Sequence, residues 1–422
     1  MNRQAHWNPR KLEECQIKRL NRVIRYAYDN VPFYNRRFKE LGIGPEDIKK
    51  KDDLNKLPII RKNDIRGNRG EIISKDFEIN RLRKLSTSGS TGEPLFLYVC
   101  ESEMEFRKAK HIRANMSCGQ RPRDKWVTLT GPQHFGKTSR LQRLVGLYVP
   151  TPVSVFNGVS TQISILEKLK PEVLDGYSSS LLLLAKEVEK QNIKTIKPRF
   201  IIGGAEFIDT YCQKYIEKVF GVKFFDQYSS VEFERMAWQC SEQRGYHIDA
   251  DALILQFLDK NGEEVSPGES GEIVCTSLFN YAMPLIRYAI GDIGIPSDET
   301  CECGRTLPLM QMVEGRKDSL LFLPNGRILS PRAFTIAMHE FKFYDFIEKF
   351  RIIQKKLDAF EVNLKMKGNV IEEDVMKMEL SAHLKTIFSF DDLRFEIKFV
   401  KDIPLDKSGK LMAVISEVNS KK

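Results

Sequence analysis

An alternation running from residue 125 to residue 230 restricts the fold of this chain more than any other feature. Short β-branched apolar runs and helical stretches follow one another as KWVTLT, PTPVSVFNG, PEVLDGYSSSLLLLAKEVEKQ, RFIIGGAEFI, YCQKYIEKVFG and VKFFDQYSS. Strands that alternate with helices build βα units, so the segment predicts a mixed sheet with helices on its faces. Ahead of it, Ile17, Leu20, Val23, Ile24 and Tyr26 recur at helical spacing, and NVPFYNRRF breaks that pattern with a proline. Helices framing an extended turn are expected there, and EFRKAKHIRANMSCG reads as a further helix. Beyond Ile248 the texture changes to DALILQFLDKNGEEVSPGESGEIVCTSLF, short strands separated by turn-rich sequence, which predicts a β-rich subdomain on the same body. After Gly315 the pattern resets to a strand over 351–367, a helix over 371–387, a strand over 394–400 and a closing polar loop.

The expected fold class is therefore α/β, with a large N-terminal mixed α/β domain over residues 1–315 that includes the β-rich subdomain, and a small mobile α+β C-terminal domain over 316–422. No long linker separates them, so the boundary near VEGRKDS is read as a short hinge. A length of 422 residues agrees with more than one core. The longest apolar runs, such as residues 181–185, are far too short to cross a bilayer, which predicts no transmembrane helix and no membrane insertion. The segment MNRQAHWNPRKLEEC lacks the apolar stretch of a secretory signal, so the cytoplasm is the expected compartment. Under reducing conditions the eight cysteines are read as buried thiols or metal ligands. The formal charge of +10 arises from 67 basic and 57 acidic residues dispersed among one another. That surplus suits anionic small molecules such as nucleotides, and the lack of a basic stripe interleaved with aromatics argues against a nucleic-acid partner. A homodimer is left open.

The residues that carry chemistry are gathered in short clusters. LSTSGSTGEPL, residues 85–95, is dense in hydroxyls and glycines, the donors a loop needs to wrap phosphate oxygens, although a solvated turn has the same composition. GPQHFGKT, from Gly131 to Thr138, satisfies the P-loop pattern, but such a loop requires a substantial helix after the lysine and a strand ending in a magnesium-binding aspartate, for which Asp226 is the fair candidate. GGAE, from Gly203 to Glu206, and DQYSSVE, from Asp226 to Glu232, stand where strands end and an open sheet forms its crevice. Glycines there let a flat base approach the backbone, Tyr228 offers a stacking face, and Glu232 offers a hard oxygen for Mg2+. In MPLIRYAIGD, Asp292 closes an apolar strand and suits two ribose hydroxyls, while Arg316 in GRKD suits phosphate or ribose oxygen. Lys410 follows a tight bend in LDKSGKLMAV, from which domain closure could deliver it to a site. Cys240, His247, Cys301 and Cys303 form a donor set suited to tetrahedral Zn2+, with packed thiols and a packed imidazole as the other reading.

Taken in order, these segments resemble the adenylate-forming superfamily, and most closely its phenylacetate-CoA ligase branch with the CapK-like proteins. The resemblance spans nearly the whole chain, through VIRYAYDNVPFYNRRFKELGI, LNKLPIIRKNDIR, STSGSTGEP, GGAE, YSSVE, MPLIRYAIGD, CECGR, EGRKD and DKSGK. It implies an AMP-forming acid–thiol ligase that uses Mg-ATP to convert a carboxylic acid to an acyl-adenylate, with CoA as the default acceptor and an aromatic or other small acid as substrate. By the same resemblance, Thr87, Ser88, Gly89, Ser90, Thr91 and Gly92 form the phosphate loop. Gly204, Ala205, Glu206 and Tyr228 form the adenine pocket, Asp292 holds the ribose, and Arg316 the phosphate or ribose. Glu232 would hold magnesium, Lys410 would bridge carboxylate and α-phosphate, and Asp318 would mark the hinge about which the small domain turns. The four cysteine and histidine ligands become a structural zinc site. His134, Phe135, Lys137 and Tyr177 are candidates to line the acid pocket.

The pattern also departs from the branch. Ser229 and Val231 stand where a glycine and a hydroxyl residue are usual, RYAIGD lacks the arginine and threonine of phenylacetate-type ligases, and LPNGRILSP resembles the CapK-like proteins. The alternatives are a CapK-like adenylating enzyme of cell-surface polysaccharide synthesis with a non-CoA acceptor, a nucleotide binder without catalysis, and a P-loop hydrolase using residues 131–138.

Overall fold

A computed structural model of the chain describes residues 2–86, 95–132, 135, 138–206, 208–316, 321–324, 328–329, 331–368, 372–388, 392–406 and 411–418. The alternating segment folds as expected into the parallel half of an 11-stranded sheet. From one edge the order is Leu253–Leu258, Gly271–Ser277, Tyr288–Ser297, Leu309–Arg316, Tyr246–Ile248, Glu234–Trp238, Phe224–Ser230, Phe200–Gly204, Val173–Tyr177, Trp126–Thr130 and Pro150–Ser154. The last five strands run parallel, and every pairing before Phe224–Ser230 is antiparallel. The β-rich stretch thus continues the same sheet. Strand Phe224–Ser230 is the seam between halves, parallel to Phe200–Gly204 on one side and antiparallel to Glu234–Trp238 on the other.

Alternation of side chains across the parallel strands separates two apolar faces. Val127, Leu129, Leu174, Ile201 and Phe224 pack against helices Val159–Leu169, Ser178–Lys190 and Thr210–Phe220. Trp126, Val173, Phe200, Ile202 and Phe225 form the opposite face with Cys118, just past helix Glu101–Ser117. The extended turn expected at NVPFYNRRF is not formed. Helices Pro9–Asn30 and Pro32–Leu41 are separated by Val31 alone, at φ −115° and ψ 107°. Pro32 opens the second helix, where its missing N–H costs nothing and its fixed φ already suits the first turn.

A second core is built only from residues between Leu321 and Val414. Its four-stranded sheet runs Arg394–Phe399, Ala359–Met366, Ile347–Lys356 and Val414–Ser416, with helices Pro331–His339 and Glu373–Phe388. The single strand expected over 351–367 is instead a hairpin closed between Lys356 and Ala359. Apolar alternation resumes in phase after the turn, which hides it from a periodicity argument. The closing loop also contributes a strand, Val414–Ser416, parallel to Ile352–Gln354. Among the described residues no helix is long and apolar enough to cross a membrane.

Candidate active site

Three parallel strands end side by side at the seam. Tyr177 pairs with Gly204, and Gly204 pairs with Gln227, so DGYSSS, GGAE and DQYSS share one rim. Gly203 admits no side chain, since a Cβ would lie 2.0 Å from the Phe224 ring. Ala205 adopts φ 65°, a left-handed conformation costly for a residue with a Cβ and frequent where a loop is shaped for function. The GGAE loop is tied to its neighbour because the Ser179 amide, in the first turn of helix Ser178–Lys190, donates to Glu206 Oε2 at 2.8 Å.

Glu232 lies just past the seam strand and is only 4% exposed. Tyr288 donates its hydroxyl to Glu232 Oε1 at 3.2 Å. The backbone around it is held by cations from helix Glu101–Ser117: Arg107 donates to the carbonyls of Val231 at 2.9 Å and Glu232 at 2.5 Å, and Lys110 donates to that of Phe233 at 3.1 Å. The buried face of this helix carries Glu103, Arg107, Lys110 and Arg113. Arg113 pairs with Asp249 and, at 2.8 Å, with Asp251, and burial draws Lys110 down to about 8. Sequence reading missed this function. The signal was present, since charges recurring at three and four residues within one helix share a face, but such a stripe ordinarily faces water.

Asp292 and Arg316 are register partners on adjacent strands, so the two residues expected at the ribose meet across the sheet. Tyr228 donates its hydroxyl to Asp292 Oδ2 at 2.7 Å, which joins the expected base-stacking ring to the expected ribose acid. Beside them stands a polar group that the sequence did not single out. His111 Nδ1 lies 3.3 Å from Glu234 Oε1, its Nε2 lies 3.6 Å from Asp175 Oδ2, and Arg235 approaches Nε2 at 3.2 Å. Burial and Arg235 oppose charge on His111, yet the two carboxylates prevail and raise its pKa. Burial also opposes ionisation of Glu234, but His111 brings it down to about 2. Glu234 sits at φ 60°, and Arg235 reaches back towards Gly204.

Tyr177 is buried on the same rim. Burial, then the carboxylates of Glu206 and Asp406, raise its pKa against hydrogen bonds with Thr130 and Gly131. Asp406 belongs to the small body and stands four residues before Lys410 in the sequence. Arg351 donates to the carbonyls of Pro404 at 2.7 Å and Met412 at 3.0 Å, on either side of residues 407–410 in the sequence.

Thr87, Ser88, Gly89, Ser90, Thr91, Gly92, His134, Lys137, Asp318 and Lys410 lie outside the described residues. The strands flanking the hydroxyl-rich segment, Arg83–Ser86 and Phe96–Val99, pair antiparallel. Phe135 is 38% exposed. The P-loop reading does not fit, because the helix after Thr138 is only Arg140–Val145 and buries no residue against the sheet. Asp226, its expected magnesium ligand, is buried and accepts from the Tyr246 hydroxyl at 2.7 Å.

Cys240, His247, Cys301 and Cys303 bring their ligand atoms within 4.8 Å of one another. Cys240 Sγ and Cys301 Sγ are 3.5 Å apart, and Cys303 Sγ lies 3.3 Å from His247 Nε2. Tetrahedral Zn–S bonds of ~2.3 Å place two sulfurs roughly 3.8 Å apart, so the set fits zinc without rearrangement and is too open for a disulfide. Burial, then Arg305, draws His247 down to about 4, which keeps the imidazole in its neutral, ligating form.

The family model described as the CapK C-terminal domain matches residues 321–417. The phenylacetate-coenzyme A ligase of Thermus thermophilus is 29% identical over 322 residues, covering 74% of this chain and 72% of the relative. Protein CapK of Staphylococcus aureus is 25% identical over 422 residues, covering 96% and 90%. The chain is a relative of the phenylacetate-coenzyme A ligases and of CapK. Its fold is that of 2-hydroxyisobutyryl-CoA ligase in the postadenylation state with 2-HIB-AMP, which superposes with a TM-score of 0.83 at 20% identity, covering 98% of this chain and 91% of that one.

Proposed function

We propose that the chain is an AMP-forming acid ligase that activates a carboxylic acid with Mg-ATP and passes the acyl group to CoA. The carboxylate oxygen attacks the α-phosphorus, the bond to the bridging oxygen breaks and pyrophosphate leaves. A thiolate sulfur then attacks the acyl carbon and AMP departs. The observation that carries this reading is the gathering around the seam strand of Glu232, the Tyr228–Asp292 pair and the GGAE loop.

In this reading Thr87 to Gly92 receive the leaving phosphates, Asp292 accepts from ribose hydroxyls, and Arg316 meets phosphate or ribose oxygen. Gly204, Ala205, Glu206 and Tyr228 flank the adenine, while Tyr177, His134, Phe135 and Lys137 border the acid. Lys410 stabilises charge as it builds between carboxylate and α-phosphate. Glu232 is the magnesium ligand, and the ion neutralises phosphate charge when bound. Zinc at the four-ligand site is structural. The boundary is placed at 315–316 with Asp318 as hinge, the compartment is the cytoplasm, and the substrate is an aromatic or other small acid.

The match of residues 321–417 to the CapK C-terminal domain favours a second reading, in which the adenylate is delivered to an acceptor other than CoA. Pyrophosphate release across a panel of acids, with and without CoA, separates the two. A thioester supports the first reading, release without thioester the second, and ADP among the products would overturn both.

A further inference from the structure

The two bodies meet at a contact that the site above does not use. His339, the last residue of helix Pro331–His339 in the small body, enters the head of helix Thr210–Phe220 in the large one. Its Nδ1 lies 2.9 Å from Asp209 Oδ2, with side-chain exposures of 5% and 6%. Its Nε2 lies 3.4 Å from Cys212 Sγ. Tyr211 stacks on the ring at 4.9 Å and 20°, and Tyr344 meets it edge-on at 4.7 Å. Asp209 is fixed in turn, because its Oδ1 caps the helix by accepting from the Cys212 amide at 2.9 Å. Next to it, Lys186 on helix Ser178–Lys190 crosses into the small body, donating to the Glu348 carbonyl at 3.0 Å and lying 5.0 Å from the centre of the Tyr344 ring.

The His339–Asp209 contact is buried on both sides and within ion-pair distance, whereas surfaces between domains are usually more polar and exposed. Burial opposes ionisation of Asp209, but His339 draws its pKa below the ordinary carboxylate value, so the charged form belongs to the docked arrangement. Burial holds Cys212 as a thiol and brings Lys186 down to about 8. Asp209, Cys212 and His339 also bring ligand atoms within 4.8 Å of one another, but the carboxylate and Nδ1 face each other, which makes the group a docking contact.

We propose that His339 and Lys186 are positioning residues: His339, seated on Asp209, Tyr211 and Cys212, and Lys186, reaching from the large body to the Glu348 carbonyl, together hold in one orientation the small body whose sequence includes the segment with Lys410. The catalytic role of that segment rests on the acid-ligase reading, whereas the docking itself does not. Holding the small body matters because a lysine on a swinging element meets its target only for the fraction of time that the element is docked.

The test uses the full chain with His339→Ala, Lys186→Ala and His339→Asn, whose amide can still donate to Asp209. Small-angle X-ray scattering without substrates reads the orientation, and acid-dependent pyrophosphate exchange reads the chemistry. His339→Ala and Lys186→Ala are expected to broaden the scattering envelope and to lower the exchange rate about tenfold with the KM for ATP unchanged, while His339→Asn restores most of both. Unchanged scattering from the two alanine variants would overturn the proposal, as would an equal loss in His339→Asn. Should the wild-type chain exchange no pyrophosphate with any acid, the ligase reading fails, and scattering alone still decides whether the latch exists.

Discussion

Arg107 shows how much of the site depends on a residue that does no chemistry. Its guanidinium satisfies the carbonyls of Val231 and Glu232, on either side of the peptide that aims the Glu232 carboxylate. Replacement by methionine keeps much of the apolar stem and removes the donors, leaving two buried acceptors unpaired at ~1–3 kcal/mol each. Arg107→Met should lower stability by about 2–6 kcal/mol in urea and, in the proposed reading of Glu232, raise the magnesium concentration needed for half-maximal activity, since the carboxylate then wanders. Asp226 gives a prediction with a defined pH window. Burial raises its pKa from 3.8 to about 6 against the Tyr246 hydroxyl. The unfolded carboxyl therefore ionises first: the stabilising contribution is complete below about 3.8, declines as pH rises, and is gone above about 6. At ~1.4 kcal/mol per unit the decline is on the order of 3 kcal/mol. Asp226→Asn should melt higher than wild type at pH 8 and lose that advantage at pH 4, and an equal difference at both would refute the buried charge. At this scale the sequence singled out Tyr228 and Asp292 by their neighbouring glycines and acids, and the structure brings the two into hydrogen-bond contact. Arg107, Lys110 and His111 were not legible, since their partners are backbone carbonyls and carboxylates more than sixty residues away.

Between residue and molecule, the elements are set by local chemistry that the sequence states unevenly. The βα alternation was legible because strand and helix periods differ sharply. The hairpin at Lys356–Ala359 was not, because its turn leaves the alternation in phase, and Pro32 was misread because one proline can break a helix or begin one. The cysteine set was legible only as a donor list. Its convergence depends on strand Leu309–Arg316 lying against Tyr246–Ile248, a pairing between distant segments that brings Cys301 and Cys303 onto Cys240 and His247. Zinc there would pin the turn before Leu309 to the strand Tyr246–Ile248, which carries His247. Metal analysis of gently purified protein should find about one zinc per chain, and Cys303→Ser should lose it and melt several degrees lower, as expected when a structural ligand is removed. Protein free of zinc with an unchanged melting temperature in Cys303→Ser would leave the four groups as packed thiols and an imidazole.

Over the whole molecule, two bodies with separate cores meet through His339 and Lys186, and in the proposed reading the smaller one supplies Lys410. A second core begins at Leu321, past the reset in pattern after Gly315, but the docking was not legible, because His339, Asp209 and Lys186 come from three separate segments with no common motif. Arg351 links the scales. It lies in the strand Ile347–Lys356 and donates to the carbonyls of Pro404 and Met412, which stand on either side of Lys410 in the sequence. If Lys410 stabilises the charge between carboxylate and α-phosphate, Lys410→Ala should lower adenylation by roughly 10²-fold or more while ATP still binds, because an interaction made in the transition state is lost. Arg351→Ala removes no reacting group and should lower adenylation by about tenfold, as expected when a catalytic group is present but less often in place. In the double variant the second loss should vanish, since there is no lysine left to position. Single-turnover rates of adenylate formation for the four proteins form the cycle. Simple multiplication of the two losses would mean that Arg351 serves the small body's stability alone.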